Sequence, residues 1–564
     1  MKHLSHGERW SEGCKENASD NKKTSLTLPL PAIQSRGFPR TEEMTPRPPG
    51  ASRSRTRNIP KRRQKRTHAD RYIRERWAKF VGADSDGMMT IDGVRVDTIA
   101  AKYGTPLYVM AESEIRRRFY RFKKTFVKDI ELQYCVKTNS NLEILRMARE
   151  EGFGLDCSSV GELILGLLAY FKPKQLSFTN LFKSEQDVHF AAKVGTQSVT
   201  ADSYEDIQQI ARTAQKLRKH IDTVIRVNPM ITVGSYSTRG NKYGVPIGYI
   251  HRAIDMARKA PYVDFTGFHF MGGYVYHPRV YKAAMRAFAK LIRECQDRHI
   301  AIKSLSLGGG FPAAIGNEYA YPIEEMRDFP AYWKTLMRRY RIEKPPRLIF
   351  EPGKAIVMNA GVGLMRVVSK KRLGLRHRMV VVDGSTYNFV PDFFTLLQEN
   401  THYDVLPASK MHAPRIHTVT VGGNTCDCWD LIVKNIQMPK LRAGDLLEAM
   451  DVGGYAQVLA NNFNTIRRAA VVLVRTDGTL KLIRRRDRFS EMFAPELDVL
   501  KVAGPDELEK YHNLYRVNVD KIWKSGGLGK LEKKIKKVST GNGNGKVSKG
   551  LATFRALEKE ANGD

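Results

Sequence analysis

The chain has 564 residues, room for two domains with appendages, and its 42% apolar and 9% aromatic content can build large cores. Lys and Arg outnumber Asp and Glu by 94 to 59, a net +35, but the excess is uneven: residues 1–80 carry 20 basic and 8 acidic side chains, and residues 501–564 carry 14 and 8. A wholly disordered chain, a collagen-like fibre and a disulfide scaffold are excluded.

Residues 1–75 read as a disordered basic tail rich in Pro, Ser and Arg, closing in Lys61-Arg62-Arg63-Gln64-Lys65-Arg66. Such a run can bind nucleic acid, but no aromatic platform interleaves it, so a solvated tail is the expected reading. Residues 76–110 form an N-terminal segment. Its first strand, Leu107–Met110, could join either of the units that follow and is assigned to the second. From 111 to 365 short β-rich runs alternate with longer helical patterns. Ile130–Val136, Gly154–Cys157, Gln175–Thr179, Gln197–Thr200, Ile221–Val227, Phe265–Phe270, Ile302–Leu307 and Arg347–Phe350 are the expected strands. Strands alternating with helices imply parallel βαβ units, and eight in succession fit a (β/α)8 barrel. After Gly361 the texture changes to closely spaced Val-rich runs: Leu364–Val368, Met379–Val382, Arg415–Val421, Ala469–Val474 and Leu480–Arg484. Residues 366–495 therefore read as a β-sandwich or barrel, and 496–564 as a partly disordered C-terminal extension.

The six cysteines (Cys14, Cys135, Cys157, Cys295, Cys426, Cys428) are too few and scattered for a disulfide framework and suggest a reducing compartment. Cys426-x-Cys428 lacks a second ligand pair at finger spacing, so no metal site is expected. The longest strongly apolar run, Leu163 to Phe171, is about half a membrane span. Glu8, Glu12, Glu16 and Asp20 argue against a transit peptide. A cytoplasmic protein without membrane association is the expectation.

Three motifs carry chemistry. Lys137 closes the apolar strand Tyr134-Cys135-Val136, where a barrel side chain points into the active-site mouth. Loss of hydration there should lower its pKa and free a nucleophilic amine, as a Schiff-base lysine requires. Gly308-Gly309-Gly310 follows a strand and could crowd backbone N–H groups around a phosphate, although a tight turn explains the glycines equally well. Glu351-Pro352-Gly353-Lys354 caps the next strand. Its carboxylate could pair with a protonated pyridine nitrogen, and its lysine could neutralise a phosphate.

Together these motifs resemble the fold-type III pyridoxal-phosphate decarboxylases, the group of the diaminopimelate and ornithine decarboxylases. Tyr134-Cys135-Val136-Lys137-Thr138-Asn139, Gly308-Gly309-Gly310-Phe311-Pro312, Glu351-Pro352-Gly353-Lys354 and Cys426-Asp427-x-x-Asp430 occur in the family's order, and Asp451-Val452-Gly453-Gly454-Tyr455 supports them. The similarity runs from about residue 90 to 490. The resemblance implies an alanine-racemase-like barrel followed by a β-domain. It implies pyridoxal 5'-phosphate held by Lys137 as an internal aldimine, with Glu351 on the pyridine nitrogen and Asp156 near the lysine. Gly308, Gly309, Gly310 and Tyr455 would contact the phosphate, beside Pro352, Gly353 and Lys354. Lys354 stands where the family usually has arginine, so charge is kept but a bidentate fork is lost. Cys426 matches a thiol that enters the site from the other subunit of a head-to-tail homodimer, and Asp427, Asp430 and Tyr455 would meet the substrate.

Two departures follow. In His269-Phe270-Met271-Gly272-Gly273-Tyr274, Met271 replaces the family's ring-stacking histidine and Tyr274 a phosphate-binding serine. Met271 could pack on the ring through sulfur, and His269 reads as a strand residue. Val390 precedes Pro391 where diaminopimelate decarboxylases carry an arginine for the distal carboxylate, which favours substrates with neutral or cationic tails. The reading is an amino-acid decarboxylase. The alternatives are a racemase of the same fold, disfavoured by Cys426 and its acidic neighbours, and a catalytically silent regulatory homologue.

Overall fold

The computed structural model describes residues 72–496, apart from 127–129, 317–318, 376 and 392–402. The basic runs expected near both ends lie outside the described residues.

Eight short parallel strands close on themselves: β1 (Ile130–Cys135), β2 (Gly154–Cys157), β3 (Leu176–Phe178), β4 (Ser198–Ala201), β5 (Ile221–Asn228), β6 (Val263–His269), β7 (Ser304–Ser306) and β8 (Arg347–Phe350). Each pairs with the next, and β8 returns to β1 through Leu348↔Ile130 to Phe350↔Leu132. Between them run helices whose apolar stripes face the sheet. Arg279–Asp297, for example, buries Val280, Ala284, Phe288, Leu291 and Cys295. Ser159, Ser184 and Ser203 cap three of these helices by accepting N–H bonds from Glu162, Asp187 and Asp206, which fixes where each βα loop ends. This is the expected barrel.

The second sheet runs in the order Leu431–Met438, His417–Gly422, His377–Val382, Gly361–Arg372, Leu107–Ala111, Ala470–Val474, Leu480–Arg484, with Leu446–Ala449 also on Gly361–Arg372. Leu107–Ala111 lies antiparallel to Gly361–Arg372 and parallel to Ala470–Val474, with all five residues buried. A run buried on both faces loses the alternation that would mark its sheet, so the sequence leaves its membership open. Trp77, Phe80, Val81, Met89, Ile91, Val96 and Ile99 pack against this sheet in a core with Leu107, Val109, Val362 and Val472. Among the described residues no helix is long and apolar enough to cross a membrane.

Candidate active site

The sequence after β1 makes one tight helical turn, Val136–Thr138, which leaves Lys137 at the C-terminal rim of the barrel. Its Nζ donates to Asp156 Oδ2 at 2.8 Å, from the end of β2. Asp156 is buried, whereas 36% of the Lys137 side-chain surface reaches solvent. The expected lowering of the lysine pKa does not occur. Burial opposes the ammonium, but the adjacent Asp156 carboxylate, helped by Cys135 and Tyr455, outweighs it and holds Lys137 well above its ordinary value. Asp156 is held below the usual carboxylate range: burial works against its charge, and Lys137 overcomes that. Without ligand, the pair is an ammonium–carboxylate pair.

Glu351 closes β8 with 3% exposure. Ser306 Oγ donates to its carboxylate at 2.5 Å and His269 Nε2 lies 3.2 Å away. The same Ser306 hydroxyl accepts the Gly308 N–H at 3.1 Å, so one side chain ties the acid to the glycine loop. Gly308 has φ +67°, and a Cβ there would stand 2.2 Å from the Phe270 carbonyl oxygen; at Gly310 (φ +95°) it would stand 2.4 Å from that of Gly273. The loops after β6 and β7 are therefore pressed backbone to backbone, which only glycine permits. Gly309 packs beneath Tyr281, whose hydroxyl donates to its carbonyl at 2.7 Å. Pro352 accepts the Cys135 N–H at 3.1 Å, and a Cβ on Gly353 would lie 2.2 Å from Thr138 Oγ1, so this turn is seated on the Lys137 strand.

Met271 belongs to the loop against which Gly308 packs. Lys354 is nearly buried, with Nζ 5.2 Å from the centre of the Tyr274 ring. Lys354 and Tyr274, two positions that depart from the family pattern, are thus neighbours, joined by a cation–π contact. Tyr455 reaches Lys137 from the β-domain: its N–H donates to the Thr138 carbonyl at 2.7 Å with φ +62°. Burial pushes its phenol above the ordinary value.

Cys426, Asp427 and Asp430 sit elsewhere, on the β-domain loop between His417–Gly422 and Leu431–Met438. Cys426 is exposed, with Asn464 Nδ2 3.4 Å from its Sγ. Asp427 accepts from the Tyr387 hydroxyl, which lowers its pKa. Asp430 faces inward at 3% exposure and accepts from the N–H and hydroxyl groups of both Thr386 and Thr425, at 2.7 to 3.1 Å. These bonds turn its carboxylate into the pin of the loop, so the geometry gives it a structural task where substrate contact was expected. The two clusters are joined by one stretch of chain, from Tyr455 at Thr138 to Asn461, whose N–H donates to the Tyr387 carbonyl at 3.0 Å.

Sequence reasoning missed Ser306, Cys135 and the role of His269. Ser306 was detectable only as a polar residue inside the apolar Leu305-Ser306-Leu307. The Cys135 thiol lies 3.3 Å from Asp156 Oδ2 and 2.9 Å from the Glu351 carbonyl oxygen, bridging β1, β2 and β8. Cys135, Asp156 and Glu351 could offer a metal three ligand atoms within 4.8 Å, but Lys137 competes for one and Ser306 with His269 for another.

The donor set suits a pyridoxal phosphate. A lysine and a buried carboxylate stand at neighbouring strand ends, β1 and β8, and a glycine loop with a nearby lysine cation offers an anion seat beside them. A barrel with these groups at its C-terminal mouth, followed by a β-domain, defines a pyridoxal-phosphate enzyme of the alanine-racemase-like architecture. The model of the pyridoxal-dependent decarboxylase family's pyridoxal binding domain matches residues 112–358. The chain is 28% identical over 426 residues to the diaminopimelate decarboxylase of Bacillus subtilis, covering 73% of this chain and 95% of that one. It is 27% identical to that of Archaeoglobus fulgidus, covering 72% and 96%. The diaminopimelate decarboxylase of M. jannaschii, solved in complex with L-lysine, superposes with a TM-score of 0.67 at 26% identity, covering 76% of this chain and 98% of that one. Over most of its length the chain is similar to the fold-type III pyridoxal-phosphate-dependent decarboxylases. It is an amino-acid decarboxylase that uses pyridoxal 5'-phosphate.

Proposed function

We propose that Lys137 holds the cofactor covalently, that Glu351 faces its pyridine nitrogen, and that the substrate is an amino acid with a cationic far end. The observation that carries the reading is the Lys137–Asp156 pair 2.8 Å apart at the barrel mouth, beside a Glu351 fixed by Ser306 and His269. When bound, the cofactor supplies an electron sink for the bond to the α-carboxylate. Asp156 takes and returns the lysine proton, so the amine is uncharged only when it reacts. Ser306 and His269 hold the Glu351 carboxylate aimed, and Lys354 with the Gly308–Gly310 loop meets the phosphate. Asp427, half-buried beside Tyr387 and with its pKa held down by that hydroxyl, suits a distal ammonium, while Asp430 holds its loop.

Cys426 is proposed to act in the partner subunit's site of a homodimer. Its thiol is exposed on a loop that also presents Trp429 at 70% exposure, with Phe463 beside Asn464 at 39%. Large apolar side chains left open around a reactive group favour a covered surface. A cytoplasmic, reducing setting fits the five unbridged cysteines among the described residues.

Diaminopimelate is the competing substrate, because the relatives that match over most of this chain carry that name. Against it stands Val390, which is buried in the hydrophobic core and offers no cation to a distal carboxylate. A panel of lysine, ornithine, arginine and diaminopimelate, scored by carbon dioxide release and by change in the visible absorption band, tests both readings. Lysine or ornithine should outrank diaminopimelate. Clear preference for diaminopimelate would mean that another cation serves in the place of the missing arginine, and would overturn the cationic-tail assignment.

A further inference from the structure

The interior of this barrel is unusual in its chemistry. Most (β/α)8 barrels fill the lumen with layers of branched aliphatic side chains. Here a cavity of about 180 Å³ is lined by Ser177, Thr179, Thr200, Thr266, Ser304 and Ser306, all buried. At its C-terminal end stand His269 and Glu351; at its N-terminal end stand Gln133, Gln197, Asp222, Lys303 and Arg347. The lining hydroxyls already contact one another in part, with Thr179 Oγ1 3.0 Å from Thr200 Oγ1.

Two atoms on this lining point to a ligand. His269 is 2% exposed and Gln133 is wholly buried, yet His269 Nδ1 and Gln133 Oε1 find no partner among the described residues. Nε2 of the imidazole lies 3.2 Å from the Glu351 carboxylate, which leaves Nδ1 on the opposite side of the ring. Leaving such a group unsatisfied costs the full desolvation of a buried polar atom. A polar cavity of this size has room for about six waters at ~30 Å³ each, and polar cavities of this kind are hydrated. The file would end at the N-terminal mouth, where Glu131 accepts from Gln133 and Gln197 at 2.8 and 2.9 Å and pairs with Arg347 at 3.0 Å.

We propose that the lumen is a water-binding site, a hydrogen-bonded file that exchanges protons between the His269–Glu351 pair and solvent at the N-terminal mouth. The pair can then equilibrate while the C-terminal mouth is closed by cofactor and substrate. The ionisable groups near the pair on the other side are Cys135, Lys137 and Asp156. The charged groups of the lumen itself sit at the far end: Asp222, Lys303 and Arg347, with Glu131 beside them. Between the two ends the lining is hydroxyl groups with an occasional apolar side chain, which relay protons through water without trapping them. The inference rests on Glu351 serving the cofactor only for its purpose; the water site stands on the lining alone.

A high-resolution crystal structure of the holoenzyme tests the site. Ordered waters bonded to His269 Nδ1 and Gln133 Oε1 are expected, and a lumen closed by repacked side chains would overturn it. The exchange role is tested by stopped-flow pH jumps that follow the cofactor's absorption band. Thr200→Val with Thr266→Val keeps volume but removes two relay hydroxyls, and should slow the band's relaxation several-fold while end-point spectra stay the same. Thr266→Val alone is the fallback if the double variant does not fold. Equal relaxation rates in wild type and a folded variant would overturn the conduit. If no coloured holoenzyme forms at all, the cofactor reading fails, and waters in the lumen of the colourless protein still decide the site.

Discussion

At the scale of single residues, Lys137 and Asp156 form a coupled pair whose charges oppose the chemistry proposed for the lysine. Lys137→Ala protein should be colourless after dialysis and keep no borohydride-fixed cofactor, since no other lysine stands at that strand end. Asp156 works in the other direction. It raises Lys137, so Asp156→Asn should let the ligand-free protein take up cofactor at lower pH than wild type, measured as uptake rate against pH. The linked effect on stability has a sign for each partner. A raised lysine stabilises fully below its unfolded value of 10.5 and loses this as pH climbs through its folded value; a lowered aspartate stabilises above 3.8 and loses this as pH falls through its folded value. The pair therefore helps across the window between those values. Breaking it should cost about 1–2 kcal/mol, less than the ~3–5 of a fully buried pair, because a third of the lysine surface is solvated. The lysine and the Glu351 motif could be read from the sequence because each closes a strand. The direction of the lysine shift could not, because it depends on an acid 19 residues away on the next strand.

At the scale of elements, the run Asp451–Tyr455 is held from three directions. Asp451 is fully buried and accepts from Arg76, Trp77 and Asn359, each at 2.7 Å, while Asn139 Nδ2 donates to the Gly453 carbonyl at 2.9 Å. The segment before the first strand thus latches the loop that delivers Tyr455 to Lys137. Asp451→Ala strands the Arg76 charge and should cost about 3–5 kcal/mol in chemical denaturation. Asp451→Asn, which keeps an acceptor for Trp77, should cost less and still loosen cofactor, seen as faster loss of the visible band on dilution. If both variants held cofactor as wild type does, the latch would have no bearing on the site. No sequence pattern announces this contact, because its partners are 375 positions apart. Other elements escaped for local reasons. Leu431–Met438 alternates poorly, with Lys434, Asn435 and Gln437 breaking the apolar run at an edge of the sheet. The barrel strands were legible as apolar segments, but only closure shows which of their Ser and Thr side chains share the lumen.

At the scale of the whole molecule, the barrel mouth and the Cys426 loop are two halves of a proposed site that one chain displays apart. Lys137, Glu351 and Tyr455 gather at the barrel rim, while Cys426 is exposed on the β-domain beside Asn464 and Asp427 lies half-buried against Tyr387. A two-fold dimer that exchanges equivalent surfaces could bring the Cys426 loop of each chain to the rim of the other. Lys137→Ala and Cys426→Ala chains, each nearly inactive alone, should then regain activity when unfolded together and refolded as a mixture. Random pairing puts about half of the dimers in the mixed form, and each mixed dimer has one site with both lesions and one with neither, so recovery should approach about a quarter of wild-type activity per chain. If each chain used its own Cys426, every site would keep one lesion whatever the pairing. Mixing would then restore nothing, while the colour of the Cys426→Ala protein would still report Lys137 at work.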